Sequence, residues 1–524
     1  MLRTFLIGLG LTVLALSVPG MAAEKVHLSV DASKPGAKID RNIFGQFAEH
    51  LGHGVYEGIW VGPDSTIPNT RGIRNDVVAA LRALKVPNVR WPGGCYADGY
   101  HWQKGVGSAN ERTSTVNSSW GGVVEPNTFG THEFMDFLDQ IGSEAYVSIN
   151  VGSGTPQEAA DWLEYMTASL PTTLARQRTA NGHSYPFKVG YLGIGNESWN
   201  CGGNMTVDYY LSQLKIYSHF VNNFNPDQQG ARHMAKIAVG PGGPETEWTE
   251  AIMRAYQHRP WSWDMDGLSI HSYTVPHWPP SYASTGFGVT EYSQILKETL
   301  RMNDFINQQS AIMDKYDPDK KVALVVDEWG AWYAPLPGSN PAFLVQQNSL
   351  RDAILAALNL NIFARHADRV RMANIAQMIN VLQAMIVTDK EKMVLTPTYQ
   401  VFKMYLPFQD ATFVPVTFDA GTYANGDIHL PRVDAIAAKD ASGKLWLEVT
   451  NLDPGQPVEI EAELAGIQVK SAAGETLTAP KVDSVNSFEA PNAVVPKPLA
   501  VKAQDGKLTL RLEPKSVTVV ALEQ

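Results

Sequence analysis

Eight short apolar segments, separated by longer amphipathic ones, limit the fold of this chain more than any other feature. They occupy residues 43–47, 86–91, 145–150, 189–195, 236–240, 267–273, 322–327 and 372–378. Most are apolar nearly throughout, as expected of strands that are buried on both faces. Between them, apolar residues recur every three or four positions, for example over residues 73–84, 133–141, 159–168, 207–224 and 344–365. This spacing is typical of amphipathic helices.

Strands that alternate with helices in this way predict an α/β fold, a (β/α)8 TIM barrel over residues 41–395. The alternative is a doubly wound open sheet, which normally has a glycine-rich phosphate-binding turn after its first strand. No such turn follows the first segment. The later Gly240-Pro241-Gly242-Gly243 lacks the lysine of a P-loop, so it indicates a tight loop after a strand.

The pattern changes after residue 395, where helical periodicity stops and short alternating runs begin. Examples are residues 435–438, 445–449, 458–460, 508–512 and 517–522. They predict a C-terminal all-β sandwich, jelly-roll-like, over residues 396–524. Residues 26–30 also alternate like a strand, so the segment 24–40 is expected to join that sandwich.

The first 23 residues are typical of a secretory signal peptide. Arg3 gives a short positive region, residues 5–18 form an apolar run, and Pro19-Gly20 ends it before small residues. The alternative is an uncleaved anchor. We therefore expect a secreted or periplasmic protein that has no membrane contact after cleavage. In an oxidising compartment Cys95 and Cys201, the two cysteines of the chain, could pair if the fold brings them together.

The charge balance narrows the classes of partner. Lys and Arg total 42 against 53 Asp and Glu, a formal net charge of −11. Nucleic acids and anionic membranes recruit basic surfaces, so neither is expected as a partner. Neutral small molecules and neutral polymers remain.

Polar residues follow several of the predicted strands, at the end of the barrel where active sites are built. They are Glu49, His50, Arg90, Asn150, Asn196, Glu197, His271, Tyr273, Asp327, Glu328 and Gln377. A single glutamate there would most simply form a salt bridge, but Glu197 and Glu328 follow two different strands among many other polar groups. Paired acids facing one cleft are what glycosidases need, about 5–5.5 Å apart in retaining enzymes and about 6.5–9.5 Å apart in inverting ones.

Other chemistries have weaker support. His50 and His53 lack an evident third ligand and no His-Glu-x-x-His motif occurs, so no metal is expected. The chain also lacks a Gly-x-Ser-x-Gly nucleophile elbow. Cys95 has no obvious base partner and is more simply a packing or substrate contact. We expect no cofactor.

Six motifs, in order along the chain, resemble the α-L-arabinofuranosidases of glycoside hydrolase family 51 over residues 38–410. They are Phe47-Ala48-Glu49-His50-Leu51-Gly52 with Gly58-Ile59-Trp60-Val61-Gly62, Arg90-Trp91-Pro92-Gly93-Gly94-Cys95, Gly195-Asn196-Glu197, Cys201-Gly202-Gly203-Asn204-Met205, Asp327-Glu328-Trp329-Gly330-Ala331-Trp332-Tyr333, and Asn374-Ile375-Ala376-Gln377 with Asn380-Val381-Leu382-Gln383.

The resemblance implies roles for individual residues. Glu197 would be the acid/base and Glu328 the nucleophile of a retaining glycosidase. Arg90 and His271 would support the nucleophile, and the furanose hydroxyls would be held by Glu49, Asn196, Tyr273 and Gln377. Other members have Asn in place of Cys95, and Ser198 and Asn200 also depart from the usual motif. A homo-oligomer is a further implication.

The expected function is therefore removal of terminal non-reducing α-L-arabinofuranosyl residues from arabinose-containing oligo- or polysaccharides. An endo-acting β-glucanase or xylanase of the same clan is the main alternative. A sugar-binding module and a scaffold protein are weaker ones, since both glutamates are present. Trp102, Trp120 and Trp332 are candidates for stacking on sugar rings, Trp332 first among them. Residues 105–131 are a candidate lid or subsite wall.

Overall fold

A closed barrel of eight parallel strands forms the centre of the computed structural model, which describes residues 24–504 and 506–523. The strands are β1 (Gly45–Phe47), β2 (Asn88–Trp91), β3 (Glu144–Ile149), β4 (Tyr191–Ile194), β5 (Ala235–Ala238), β6 (Gly267–Thr274), β7 (Ala323–Ala331) and β8 (Val370–Ile375). Neighbours in sequence are neighbours in space, and β8 closes the barrel on β1 by pairing Asn374 with Gly45. The predicted TIM barrel is confirmed.

Nine α-helices are found in the described residues: α1 (Asn75–Ala83), α2 (Thr131–Ile141), α3 (Pro156–Thr167), α4 (Thr173–Ala180), α5 (Val207–Phe220), α6 (Glu247–Gln257), α7 (Val289–Tyr316), α8 (Leu350–Arg365) and α9 (Pro397–Met404). All five predicted helices are present, with shifted ends. Helix α8 begins six residues later than the periodicity predicts, because Ser349 and Asp352 form a capping box there. Helix α9 corrects the prediction that helices stop at residue 395. Pro397 starts it, and Phe402 packs on Phe44.

Two strand boundaries matter for the site. Before β1, residues 41–44 form a 3-10 turn whose first N–H groups are capped by Asp40, so the strand is shorter than predicted. Strand β7 instead runs four residues beyond the predicted end at Asp327. This extension pairs Glu328 with His271 of β6.

Two sheets stack beside the barrel over their own apolar core, as the predicted C-terminal sandwich requires. One contains Val416–Phe418, Glu24–Asp31, Val458–Ala465, Lys507–Leu512 and Lys502–Gln504; the other contains Thr412–Val414, Val433–Lys439, Leu445–Asn451, Ser516–Glu523, Ser471–Leu477 and Lys497–Leu499. The strand Glu24–Asp31 lies in the first sheet, parallel to Val458–Ala465. The exact limits given for the domains stay a prediction.

Short elements complete the chain. Two-stranded sheets are formed by Asn69–Thr70 with Ile73–Arg74, Thr115–Asn117 with Val123–Glu125, Ile386–Asp389 with Lys392–Leu395, and Thr422–Asn425 with Ile428–Pro431. Short 3-10 helices span Arg41–Phe44, Ala97–Gly99, Trp102–Gly105, Ala109–Glu111, Gly230–Arg232, Pro341–Phe343 and Leu406–Phe408.

A buried polar cluster joins α8 to the sandwich. The Asn361 amide donates to Asp434 at 2.9 Å and to Glu448 at 2.6 Å, and its oxygen accepts from the Tyr405 hydroxyl at 2.9 Å. Arg365 adds an ion pair to Asp434 at 2.9 Å. Because every member has a partner, the barrel and the sandwich are joined by satisfied polar groups as well as by apolar packing.

The predicted signal peptide, residues 1–23, lies outside the described residues. Among the helices of residues 24–504 and 506–523, none is both long and apolar enough to cross a membrane.

Candidate active site

The carboxyl ends of the barrel strands surround a small inner cavity that opens into a wider groove. The empty space of the inner cavity measures about 320 Å³ and that of the groove about 1940 Å³, which includes space open to solvent. The inner cavity is lined by Glu49, Leu51, Gly94, Cys95, Trp120, Asn196, Glu197, Tyr273, Glu328, Trp332, Leu344, Gln377 and Leu382. Eight of the ten predicted site residues are in this lining; Arg90 and His271 are not. Arg90 lies behind it, and His271 lines the groove.

Glu328, near the end of β7, is held from two sides. Arg90 Nη1 donates to its Oε1 at 2.7 Å, and the Tyr273 hydroxyl donates to its Oε2 at 2.7 Å. The Arg90 and Glu328 side chains are buried, so the guanidinium offsets the cost of burying the carboxylate. Both oxygens of Glu328 are therefore fixed in orientation.

Glu197 follows β4 and stands where the inner cavity meets the groove. Its Oε1 is 2.9 Å from His271 Nδ1. Glu197, His271 and Glu328 each present one polar atom within 4.8 Å of the other two. The two carboxyl groups are thus close neighbours across one small space.

Asp327 and Tyr146 complete this network; the sequence indicated Asp327 only as a polar residue at a strand end and did not indicate Tyr146. Asp327 accepts from the Tyr146 hydroxyl at 2.6 Å and lies 3.2 Å from His271 Nε2. Burial opposes the charge on His271, but Glu328 and Asp327 outweigh it and raise the pKa of His271 to about 10. The imidazole is therefore protonated and bridges the acids of β4 and β7.

Glu49 is a buried residue in the lining of the inner cavity. Its Oε1 accepts from the backbone N–H groups of Gly94 and Tyr96 at 2.9 and 3.0 Å, and its Oε2 accepts from the Gln377 amide at 3.0 Å. Burial, followed by the charge of Glu328, raises the pKa of Glu49 to about 7. A Cβ at Gly94 would lie 2.9 Å from Glu328 Oε1, so this loop needs glycine to approach both carboxylates.

Two buried polar atoms in the lining have no hydrogen-bond partner in the protein, namely Trp120 Nε1 and Gln377 Oε1. The carboxylate of Glu49 is near the Trp120 N–H but does not form a hydrogen bond of normal geometry with it. Unpaired buried polar groups are costly unless a ligand satisfies them. The inner cavity therefore has spare donors and acceptors for a polar guest.

The predicted wall segment, residues 105–131, brings Trp120 to the cavity. It contains the hairpin Thr115–Asn117 and Val123–Glu125. Asn117 donates to the His50 carbonyl at 2.6 Å, and Glu125 lies 3.0 Å from His50 Nδ1. His50 is thus engaged in anchoring this hairpin, and His53 pairs separately with Glu57 at 3.1 Å.

One of the three predicted stacking tryptophans is placed wrongly. Trp102 is 1% exposed and donates to the Glu158 carbonyl at 3.1 Å, so it belongs to the core behind the rim. Trp120 and Trp332 line both the inner cavity and the groove. Trp332 packs edge-on against Tyr273, with ring centroids 4.9 Å apart.

Cys95 and Cys201 form a disulfide across positions 106 residues apart. The bond connects the loop after β2 to the loop after β4, and Cys201 Sγ lies 3.7 Å from Glu197 Oε2. Sequence alone left this pairing open. Among the described residues, the groups whose spacing could hold a metal ion are Cys95 with Glu197 and Cys201, and Glu197 with His271 and Glu328. Both consist of residues already engaged in this network.

The outer groove includes residues that sequence reasoning missed. Trp199 and Trp278 line it, together with Glu298, Arg301 and Asp304 of α7. No motif marks α7 as part of a site. Its contribution depends on how the helix packs beside the loop after β6, which the local sequence does not reveal.

Comparison with known proteins identifies the family. The model described as "Alpha-L-arabinofuranosidase 1 domain" matches residues 80–266, and that of the "Alpha-L-arabinofuranosidase C-terminal domain" matches residues 327–516. The chain is 44% identical over 513 residues to the "Intracellular exo-alpha-L-arabinofuranosidase" of Bacteroides ovatus, an alignment that covers 97% of this chain and 98% of that one. The chain belongs to the α-L-arabinofuranosidases of glycoside hydrolase family 51.

Solved structures of the family superpose closely on this arabinofuranosidase. The enzyme of Xanthomonas axonopodis pv. citri is 50% identical, with a TM-score of 0.92 over 95% of this chain and 100% of that chain. An arabinose complex from Thermotoga maritima is 29% identical, with a TM-score of 0.80 over the same shares. The resemblance predicted from the six motifs is confirmed, and with it the glycosidase class.

Proposed function

We propose that this family 51 arabinofuranosidase removes terminal non-reducing α-L-arabinofuranosyl residues by double displacement, with retention of configuration. The main support is the separation of Glu197 and Glu328, whose nearest paired oxygens are within 4.8 Å. This agrees with the short spacing of retaining glycosidases rather than with the wider spacing of inverting ones.

In the first step, Glu328 attacks the anomeric carbon while Glu197 gives its proton to the departing oxygen. The bond from the anomeric carbon to that oxygen breaks, and a covalent arabinosyl-enzyme forms. In the second step, Glu197 takes a proton from water, the water oxygen bonds to the anomeric carbon, and Glu328 leaves. Acid/base assistance of this kind contributes about 10²–10⁴-fold.

The other polar groups hold the reacting atoms in place. Arg90 and Tyr273 fix the two oxygens of Glu328, and Asn196 accepts from Arg90 Nη2 at 2.6 Å. Glu49 and Gln377 line the same cavity and supply groups that can bind the furanose hydroxyls. Such fixed donors and acceptors need little reorganisation as charge develops in the transition state.

The shape of the site favours exo action over the endo-glucanase or xylanase alternative. Leu51, Leu344 and Leu382 are part of the lining of the inner cavity, which is several times smaller than the groove. We expect a terminal or branching sugar to enter this small cavity, while a polymer backbone stays in the groove. The leaving portion of the substrate then lies in the outer groove. Arabinan, arabinoxylan and their oligosaccharides all present such sugars.

We further propose that the chain is exported. Residues 1–23 have the composition of a signal peptide, and the Cys95–Cys201 disulfide suits an oxidising compartment. The relative from Bacteroides ovatus is named intracellular. Fractionation of the native host with N-terminal sequencing tests this: a mature N-terminus near residue 24 outside the cytoplasm supports export, and an intact N-terminus in the cytoplasm contradicts it.

The first experiment is nitrophenol release from 4-nitrophenyl α-L-arabinofuranoside, with the β-glucoside, the β-xyloside and soluble glucan in parallel. We expect activity on the arabinofuranoside alone. When methanol is added as an acceptor, NMR should show no β-configured methanolysis product. Activity only on glucan would overturn the substrate assignment, and inverted product would overturn the mechanism.

A further inference from the structure

The disulfide between Cys95 and Cys201 lies beside the group that protonates the leaving oxygen. Cys201 is four residues after Glu197 in the loop that follows β4, and Cys95 anchors it to the loop after β2. One oxygen of Glu197 is within 4.8 Å of both sulfur atoms. The bond therefore ties down the loop that carries Glu197.

Cys95 also lines both the inner cavity and the groove. The disulfide thus stands at the boundary where the departing half of the substrate separates from the sugar. Its partner Cys201 is exposed, so a small reductant can reach the bond.

The two oxygens of Glu197 have different surroundings. Oε1 is 2.9 Å from Nδ1 of His271, whose protonated ring donates a hydrogen bond to it. Oε2 instead faces Cys201 Sγ at 3.7 Å. Oε2 is thus the oxygen that carries the transferable proton. A sulfur in a disulfide has no hydrogen to donate, so it offers Oε2 no hydrogen bond.

We propose that the Cys95–Cys201 disulfide positions Glu197 for acid catalysis and withholds a hydrogen-bond donor from its Oε2. This inference rests on the proposed retaining mechanism and deepens it. Both cysteines act through Glu197 and are positioning residues.

Reduction of the disulfide changes both the positioning of Glu197 and the lack of a hydrogen-bond donor at its Oε2. A dithiol reductant supplies two electrons and two protons: the S–S bond breaks, two S–H groups form, and the reductant becomes a cyclic disulfide. The new S–H groups donate to Oε2 and stabilise the carboxylate, and the loop loses its tether. The other charged or titratable groups around Glu197 are His271 and Tyr273 of β6, Glu328 of β7 and Arg90 of β2, and they are unchanged.

The test compares oxidised and reduced wild-type enzyme, with two thiols per chain verified by titration after reduction. kcat/KM is measured on 4-nitrophenyl α-L-arabinofuranoside, whose leaving group needs little protonation, and on an arabino-oligosaccharide, whose leaving group needs it fully. Reduction is expected to lower kcat/KM on the arabino-oligosaccharide at least about 10-fold more than kcat/KM on the nitrophenyl substrate. It is also expected to move the basic limb of the pH profile to lower pH, and reoxidation restores both.

Two double variants separate the tether from the hydrogen bond. C95A/C201A lacks the bond and adds no donor, whereas C95S/C201S lacks the bond and adds hydroxyl donors. In both double variants, kcat/KM is expected to fall more on the arabino-oligosaccharide than on the nitrophenyl substrate. Only in C95S/C201S is the basic limb of the pH profile expected to move to lower pH. The reductant should change neither variant, which controls for its effects elsewhere.

The proposal is overturned if reduction of the wild-type enzyme changes neither the ratio of kcat/KM on the two substrates nor the basic limb of the pH profile. This measurement uses the native chain, so it decides even if a double variant misfolds. Oxidised enzyme that is inactive on every arabinofuranoside would instead overturn the proposed function itself, which makes the two failures distinguishable.

Discussion

Two buried polar clusters sit on the same barrel and differ in one respect. At the junction with the sandwich, Asn361 donates to both Asp434 and Glu448, and each side chain has a partner inside the protein. At the strand ends, the buried network leaves Trp120 Nε1 and Gln377 Oε1 without partners. The first cluster is sealed, and the second opens on a cavity.

Burial and charge alone therefore do not distinguish a binding site from a structural cluster. Both regions contain carboxylates that would be expensive to bury without partners. The difference is spare hydrogen-bonding capacity beside empty space, which stabilises nothing in the free protein and becomes useful when a ligand arrives. Removing groups from the two clusters should accordingly affect different measurements.

The largest expected effect is on catalysis at the open cluster. Glu328→Gln removes the nucleophile but keeps the shape of the side chain, so kcat of the folded variant should fall at least about 10³-fold. Glu391→Gln, an exposed site, is the matched control. Activity within 10-fold of wild type would contradict the assignment of Glu328.

At the sealed cluster, the expected loss is in stability. Asn361→Ala removes the donor shared by two buried carboxylates, so the free energy of unfolding should drop by about 2–4 kcal/mol. The activity of the folded fraction should be unchanged. Asn359→Ala on the same helix removes a single backbone contact, to Leu355, and should cost about 1 kcal/mol. Equal losses in denaturant titrations of the two variants would show that the shared donor is not important.

The sealed cluster should also make stability depend on pH. Burial, reinforced by Asp434, raises the pKa of Glu448 from 4.5 to about 8. Between these values the unfolded chain releases this proton while the folded chain keeps it, so the contribution of Glu448 to stability falls as pH rises through this window.

Glu448→Gln removes that contribution. Relative to wild type, the stability of the variant should rise by up to about 5 kcal/mol between pH 4.5 and pH 8, since the pKa of Glu448 is raised from 4.5 to about 8 and each pKa unit corresponds to about 1.4 kcal/mol. Denaturant titrations across this range measure it, with exposed Glu391→Gln as the control. Parallel pH profiles for wild type and variant would mean that Glu448 is ionised in the folded protein.

The smallest expected effect tests the spare capacity directly. Trp120→Phe removes an N–H that has no partner in the free protein, so stability should stay within about 0.5 kcal/mol while KM rises about 3–10-fold. Trp261→Phe, at a 93% exposed position away from the cavity, is the control. A clear loss of stability without a change in KM would mean that the indole N–H belongs to the framework.

The sequence predicted the framework and both glutamates because each signal is local. A strand buried on both faces is a continuous apolar run, and a polar residue directly after it lies at the end of the barrel where loops converge. Glu197 and Glu328 were found in this way. Trp102 was misplaced because an aromatic side chain in a loop has the same local pattern whether it faces a cavity or the core.

The roles of Asp327 and Tyr146 were not predicted for a related reason. Asp327 stands beside Glu328 in the chain, and nothing in the sequence shows that it faces Tyr146 and His271 across the barrel. Contacts of this kind join residues of β3, β6 and β7, whose register is set only when the barrel closes.

By itself, the sequence determined that this chain forms a barrel with two acids at its strand ends, because alternation and periodicity are properties of neighbouring residues. Only the tertiary structure decided that these acids share one small space, that Cys95 and Cys201 meet beside Glu197, and that α7 lines the groove. Those facts depend on distances between segments far apart in the chain, which are fixed by packing rather than by local pattern.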